Sequence, residues 1–555
     1  MWQYSLFHQN PYGYHLISAL LHALNGVLVL ALIFYLSRSE LLALLTAVAF
    51  VVHPLQVESV AWISSQKTLL AASFSLLTLI AYTLFAKKQQ PQYYWISLAS
   101  YFLAIFSKPT VVTLPIVLYA LHREFRAEKR SKTIQPLVPF FILALIEGVI
   151  VFLAHRQEKA FAPVIGGNIY SHALMPFWTL LTYLEKTFFP KDLLPIYPPP
   201  HYVTWANPTY LFPAIGTLAG ITLVILLKKR SRIFYLAAGF YAVLLLPTLN
   251  LLPLSVPIAD RYMYLPILSP LALSAIGINH LYERCKNSLT RIMVSFCVFF
   301  IVCILFVNSR TQMSHWKDSR TLWTYTLQKN PRHALAHVKL GEYYYEHGDI
   351  TQAISYTVKG IGLGLNNPLF AKNLVAMYID QGKLDVARKS ALAFLKQLPD
   401  DERFYIQLGI IESESKSDKA EYYLRRATEI NPGNAFSWYQ LGRFYFRNRK
   451  DVDQAYQHFL KSVKLSPYDP RFHLAMADCF VRSGNYEKAI EATRYALSLD
   501  ETLATSWFNL GNLLKLQGDS AGANLAFHRA FELEPQLAHH QEQMERKDIK
   551  QDGAS

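Results

Sequence analysis

Three short polar strings interrupt long apolar runs in the first 310 residues of this 555-residue chain. His53-Pro54 is followed by Gln56, Glu58, Trp62 and Lys67; Ser107-Lys108-Pro109 separates two apolar segments; Asp260-Arg261-Tyr262-Met263-Tyr264 lies between Pro257 and Pro266. Ionisable side chains at membrane depth are costly and mark functional sites by default. Together these residues could bind an anionic lipid headgroup. Arg261 and Lys108 present donors to a phosphate, while Glu58 or Asp260 orients them or holds a metal. Each residue also has a structural explanation. Trp62, Tyr262 and Tyr264 sit where an interfacial aromatic belt is expected; Arg261 could snorkel or pair with Asp260; His53 reads as a helix-end residue more readily than as a metal ligand. Glu58 is the most suggestive carboxylate, a few residues beyond an apolar run and beside Trp62.

The elements that must position these strings are apolar runs of the length a bilayer requires, roughly 20 residues. Ten are expected, near 12–36, 41–55, 68–86, 93–107, 109–122, 135–154, 208–227, 233–252, 264–282 and 290–308. Lys and Arg fall on alternate connections: Arg38; Lys87 and Lys88; Arg123, Arg126, Lys129, Arg130 and Lys132; Lys228, Lys229, Arg230 and Arg232; Arg284, Lys286 and Arg291. The positive-inside rule makes those connections cytoplasmic and puts the three polar strings on the opposite face. This topology requires 155–207 to leave and return on one side. The moderately apolar stretch 171–190, with Glu185 and Lys186, is therefore expected to lie in the interface or to re-enter the membrane. The same topology places the N-terminus outside the cytoplasm.

A formal net charge of +15 could suggest nucleic acid, but basic cytoplasmic loops account for it, and nucleic acid is excluded as a partner. The four cysteines, Cys285, Cys297, Cys303 and Cys479, lack metal-binding spacing and read as packing residues.

Beyond residue 310 the pattern changes. Alanines recur at 353, 387, 420, 455, 489 and 523, in steps of 33 to 35 residues, the period of tetratricopeptide repeats. Gly348, Gly382, Gly484 and Gly518 fit the turn within each helix pair. Gly341, Gly409, Gly442 and Gly511 mark a second small position, and Pro331, Pro368, Pro432, Pro467 and Pro535 mark entries between units. About six units fit. The sequence thus divides into a polytopic membrane domain (1–310), an extracytoplasmic repeat domain (329–535) and a polar tail (536–555). A solenoid groove holds extended peptides, and Trp438, Tyr439, Trp507 and Phe508 are candidates to line it, although each ring taken singly reads more readily as buried between helices, so binding is assigned to the array and not to any residue.

The strings HPLQVESVAWISSQKTLLA, SKPTVVTLP and IADRYMYLP, preceded by NPYGYHLISALLHALNG and followed by repeats, resemble the GT-C-type multi-pass glycosyltransferases. Within that superfamily the chain is similar to the transmembrane O-mannosyltransferases with repeats and their bacterial relatives. The resemblance covers nearly the whole chain. It implies an all-α fold, with a GT-C-like membrane domain followed by an α-solenoid. It also implies transfer of a mannose-like hexose from a polyprenyl-phosphate donor to a protein hydroxyl at the extracytoplasmic face, with the repeats presenting the acceptor. Arg261, helped by Lys108, then takes the donor phosphate; Glu58 orients the donor or a divalent cation; His53 supports the loop; Asp260 holds Arg261.

The chain departs from the family at two points. The family's catalytic acid lies in a first extracytoplasmic loop after a first span, and residues 1–11 contain no Asp or Glu, so that span and loop are expected upstream and no base is assigned. Ser65, Gln66 and Thr68 also stand where many bacterial relatives carry charged residues. The alternative is a non-catalytic membrane scaffold whose repeats recruit partners. A bacterial inner membrane is expected, with the repeats outside the cytoplasm, or an endoplasmic reticulum membrane if the source is eukaryotic.

Overall fold

A computed structural model describes all residues except 1, 9, 127–133, 158–166, 200–202, 228–230, 252–255, 366 and 539–555. Lys129, Arg130, Lys132, Lys228, Lys229, Arg230 and most of the polar tail therefore lie outside the described residues. The fold is all-α, with no strand among the described residues. It forms two compact units, one from Met1 to His333 and one beginning at Ala334.

In the first unit every expected apolar run is largely helical. Among the described residues, five helices are both long and apolar enough to cross a bilayer: Pro11–Ser37, Ile63–Lys88, Gln135–Ala154, Pro208–Leu227 and Ser288–His315. A sixth results if Glu40–Val52 and Pro54–Ala61, bent by 55°, count as one. The remaining helices, Pro91–Ser107, Leu114–Arg126, Arg232–Leu245 and Leu268–Arg284, have 13 to 17 residues. At about 1.5 Å per residue they fall short of a hydrocarbon core roughly 30 Å thick.

Proline is the physical cause of the shortening. It lacks an amide proton and forces the preceding residue into extended backbone. His53 (φ −74°, ψ 130°) and Lys108 (φ −160°, ψ 122°) both have that geometry and end their helices ahead of Pro54 and Pro109. The breaks place polar residues where a helix stops.

Among the described residues, the ends of four helices that carry basic connections meet. Lys87 hydrogen-bonds the Tyr35 carbonyl and sits 4.5 Å from the Phe125 ring centroid, and Arg232 pairs with Glu124 at 2.7 Å. At the other end, Ser309 Oγ donates to the Val52 carbonyl at 2.7 Å and Gln312 Nε2 to that of Leu193 at 3.1 Å. Within the stretch 171–190, the helix Met175–Phe188 buries Met175, Trp178, Thr179, Tyr183 and Thr187 and leaves Glu185, Phe188 and Phe189 exposed, so one face is part of the core. Cys479 is buried as a packing residue should be, whereas Cys297 lies on an exposed helix face.

The second unit is a series of helix hairpins, six among the described residues, from Ala334–Glu346 with Ile350–Gly362 to Ala504–Leu516 with Ser520–Leu533. The alanine series is buried throughout. A β-carbon on Gly341 would stand 2.3 Å from Thr357 Oγ1 and 2.9 Å from the Ala353 carbonyl oxygen, so glycine sets how closely the paired helices approach. After four of the six turns a short polar side chain caps the second helix: Asp349, Asp451, Asn485 and Asp519 each accept from the amide three residues on, at 2.9 to 3.2 Å.

Candidate functional site

Two of the three polar strings meet directly. The short helix Val57–Ala61 carries Glu58 inward until it is 1% exposed, and the single turn Asp260–Met263 brings Arg261 to it. The Arg261 backbone amide donates to Glu58 Oε2 at 2.7 Å, and its guanidinium donates to Oε1. The guanidinium carbon lies 4.9 Å from the Trp62 ring centroid and 5.1 Å from that of Tyr262, the range of a cation–π contact. Trp62 itself remains 40% exposed, so the arginine is sheltered beneath a ring that faces outward.

The third string joins through Lys108. Its ammonium donates to Thr68 Oγ1 at 2.9 Å and lies 5.5 Å from the Tyr262 centroid, so Arg261 and Lys108 share one ring. Burial, and then the neighbouring Arg261 charge, pulls Lys108 down to about 7.

Asp260 does not hold Arg261, contrary to the expectation from their adjacency. Its Oδ1 accepts from the Tyr197 hydroxyl at 2.8 Å, and that hydroxyl also accepts from the Leu194 amide at 3.0 Å. Burial pushes the Asp260 carboxyl well above the usual carboxylate range, and the Glu58 charge adds to the shift. Successive side chains on a tight turn point in different directions, which is how Glu58 rather than Asp260 becomes the arginine's partner.

His53 serves the backbone. Its Nδ1 accepts from the Leu55 amide at 3.2 Å and its Nε2 donates to the Thr187 carbonyl at 2.9 Å, so both ring nitrogens are used and neither faces a metal. Tyr264 does not belong to an interfacial belt. It is 1% exposed, and its hydroxyl meets His22 Nδ1 at 2.7 Å and Asn25 Nδ2 at 3.1 Å. Gln66, at one of the departing positions, donates to the Tyr14 carbonyl at 2.8 Å. Among the described residues no group of three or more His, Cys, Asp or Glu could hold a metal ion.

Sequence reasoning missed Tyr183 and Tyr197. The Tyr183 hydroxyl donates to the Ala259 carbonyl at 3.0 Å and accepts from the Ala259 amide at 3.1 Å, fixing the backbone just before Asp260. No spacing or motif pointed to either tyrosine; their position next to the Asp-Arg-Tyr turn is a product of the fold.

In the second unit, Trp438 Nε1 donates to the Pro432 carbonyl at 2.9 Å and Trp507 Nε1 to the Glu501 carbonyl at 3.0 Å. His473 Nε2 makes the equivalent bond, six residues back, to Pro467 at 2.8 Å. These rings fasten the loops between hairpins. Phe508 is buried, and Tyr439 packs against Phe459 and Phe472 at 5.8 and 5.2 Å. Trp438, Tyr439, Trp507 and Phe508 are thus packing and loop-fastening residues, the structural reading of each ring.

Sequence profiles of the tetratricopeptide repeat match residues 305–359 and 423–457. Protein O-mannosyl-transferase TMTC3 of Homo sapiens is 20% identical over 575 residues, covering 96% of this chain and 60% of that protein. Protein O-mannosyl-transferase F38B6.6 of Caenorhabditis elegans is 25% identical over 366 residues, covering 62% of this chain and 50% of that protein. The chain spans 60% or less of the length of these two relatives. Among solved structures, the thermophilic TPR protein TTC0263 of Thermus thermophilus matches with a TM-score of 0.31 at 17% identity, covering 33% of this chain and 99% of that one. The chain is a membrane protein that carries tetratricopeptide repeats and is similar over most of its length to protein O-mannosyl-transferases.

Proposed function

We infer that the first unit is a GT-C-like glycosyltransferase of the O-mannosyltransferase type. It moves a mannose-like hexose from a polyprenyl-phosphate donor to a protein hydroxyl at the non-cytoplasmic face, and the repeats present the acceptor. One observation carries this reading: Arg261 and Lys108 converge on the Tyr262 ring, and among the described residues Glu58 is the carboxylate bonded to Arg261, with none bonded to Lys108. With Lys108 protonated, two cations face one carboxylate, a surplus that a phosphate would neutralise. Lys108 near 7 fits this role, because an arriving phosphate dianion or diester would return it to its charged form.

In such an inverting displacement, negative charge develops on the departing phosphate, and fixed cations stabilise it. Glu58 aims the guanidinium by holding one side of it, which leaves its remaining N–H donors for the phosphate. Tyr197 holds Asp260, and Tyr183 holds the Ala259 peptide, so the turn bearing Arg261 is fixed before the donor arrives. Both carboxylates of the cluster are engaged, so this reading gives neither of them the acceptor's proton. The five long helices and the bent pair supply up to six membrane passes, and the four shorter helices, joined by their flanking turns, are taken to complete the ten expected, with the basic end cytoplasmic.

The test is transfer of labelled mannose from polyprenyl-phosphate-mannose to envelope or lumenal proteins by the chain in its native membrane, extended upstream where the reading frame allows. Arg261→Ala is expected to lower turnover at least 100-fold, on the order of the loss of one oxyanion donor. Donor affinity is expected to weaken as pH rises from 7 to 9, and Lys108→Arg, which stays charged, to flatten that dependence. Absence of transfer by every form, with the repeats still binding partners, would favour the scaffold.

A further inference from the structure

The first helices of the hairpins in the second unit change sign along the series. Near the end of that helix, hairpins one to three present the exposed carboxylates Glu346, Asp380 and Glu414, whereas hairpins four and five present the exposed guanidiniums of Arg447 and Arg482. Arg443, one turn before Arg447, adds a third cation. Most arginines elsewhere in this unit are neutralised: Arg388, Arg403, Arg425, Arg426 and Arg471 each pair with a carboxylate at 2.5 to 2.9 Å. Arg443, by contrast, donates to the neutral Gln440 at 3.3 Å, and among the described residues Arg443, Arg447 and Arg482 form no ion pair.

These three arginines share one surface. Arg482 reaches back from hairpin five to hairpin four, its guanidinium carbon 5.0 Å from the Phe446 ring centroid. Asp478, one turn before Arg482, lies within electrostatic reach of both Arg447 and Arg482. The Tyr439 ring packs the two first helices together, 5.2 Å from Phe472, and backs the Arg443 guanidinium at 5.8 Å. A ring under a guanidinium holds its plane while leaving the in-plane N–H donors free, the arrangement that takes a carboxylate bidentately. Three guanidiniums face one carboxylate, so the surface carries a surplus of positive charge. Packed helices stand roughly 8–10 Å apart and an extended chain rises about 3.3 Å per residue, so carboxylates about three residues apart match arginines on neighbouring hairpins.

We propose that the first helices of hairpins four and five bind an acidic segment of a partner protein, with Arg443, Arg447 and Arg482 taking its Asp and Glu side chains. The chain's own segment 536–555 is a poor match, since its four carboxylates stand among three Lys or Arg. The carboxylates of hairpins one to three repel an acidic segment, which confines it to one part of the series. That the segment belongs to the acceptor rests on the transferase reading; the charge preference does not.

The test is fluorescence anisotropy of a short dye-labelled peptide, with Glu at every third position among Ser and Gly, added to the full-length chain in phosphatidylcholine nanodiscs. The peptide should bind, more weakly as salt rises from about 50 to 500 mM, and its Gln counterpart should bind at least roughly tenfold more weakly. Arg447→Glu and Arg482→Glu should each lower affinity about tenfold, on the order of one charge-assisted hydrogen bond, while Glu346→Gln should not weaken it. Both arginines are exposed, so these variants should fold, and their melting temperatures are the control. Equal binding of the Glu and Gln peptides, or undiminished binding when Arg447→Glu and Arg482→Glu are combined, would overturn the proposal. Capture of phosphatidylserine vesicles that the peptide fails to displace would also overturn it, assigning the cations to a lipid surface, as would binding that appears only after removal of 536–555. Binding is read without sugar transfer, so its failure leaves the transferase reading standing, and absence of transfer leaves this one.

Discussion

The two units use charge in opposite ways. In the first, Glu58 and Arg261 lie 203 residues apart in sequence, are 1% and 13% exposed, and join two segments that nothing local brings together. In the second, pairs such as Arg388–Asp385, Arg426–Glu429 and Arg529–Glu532 link residues three apart on one helix, with side chains 29% to 89% exposed. A buried pair fixes geometry, because either partner alone would be an uncompensated charge. Exposed neighbours on a helix add little, and the repeats draw their order from small residues at helix crossings. Charge in the first unit specifies a site; in the second most pairs run along one helix, although Arg388 also bonds the 7% exposed Glu412 of the next helix at 2.6 Å.

The largest expected effect separates the two uses directly. Glu58→Ala leaves the Arg261 guanidinium without its carboxylate and should destabilise the first unit by about 3–5 kcal/mol, whereas Asp385→Ala should leave the second unit unchanged. Thermal unfolding in nanodiscs, followed by hydrogen exchange in each unit, reads both. Glu58→Leu combined with Arg261→Met should be less harmful than either single change if the pair is coupled. Equal, small effects of Glu58→Ala and Asp385→Ala would mean that the buried pair does not join the two strings.

A second prediction contrasts how the units pack. Gly341→Ala places a methyl group against Thr357 and the Ala353 carbonyl and should cost about 1–3 kcal/mol. Gly220→Ala, in the span Pro208–Leu227, meets nothing within 4 Å and should be neutral or slightly stabilising. If Gly220→Ala proved the more damaging, that face of the span would be a packed contact and not a lipid-facing surface.

The repeats were legible because their signals are local and recur. Alanine, glycine and proline phases each predict one structural position, and the buried alanines and left-handed turns occupy those positions. The apolar runs were legible as helices for the same reason. How many of them cross a membrane was less so, since Pro54 and Pro109 shorten helices whose composition alone reads as spanning. Within the site, the participation of Glu58, Lys108 and Arg261 could be read from residue type, but their pairing could not. Adjacency suggested Asp260 as the partner of Arg261; a turn of four residues sent Asp260 to Tyr197 instead. Tyr264 read as an interfacial ring and became a core donor to His22, because His22 and Asn25 lie 242 and 239 residues away and give no signal near it.

The smallest expected effect lies in a regularity that composition conceals. The left-handed turn position recurs every 34 residues at Gly348, Gly382, Lys416, Lys450, Gly484 and Gly518, with φ between +54° and +85°. Lysine there carries the steric penalty of a β-carbon, about 1–2 kcal/mol, offset in part by the freedom that glycine would add to the unfolded chain. Lys416→Gly should therefore stabilise its hairpin by about 0.5–1 kcal/mol, and Gly484→Ala should destabilise its own by a similar amount. Lys450 is the sharper case. The turn before it, Tyr445–Arg449, is held by Glu421, which accepts from Tyr445 at 2.6 Å and Arg449 at 3.3 Å. If those bonds fix the turn independently of residue 450, Lys450→Gly should gain as much as Lys416→Gly. If the lysine backbone and the Glu421 contacts stabilise the turn jointly, the glycine variant should instead lose hydrogen-exchange protection in Val452–Leu465, the helix that follows.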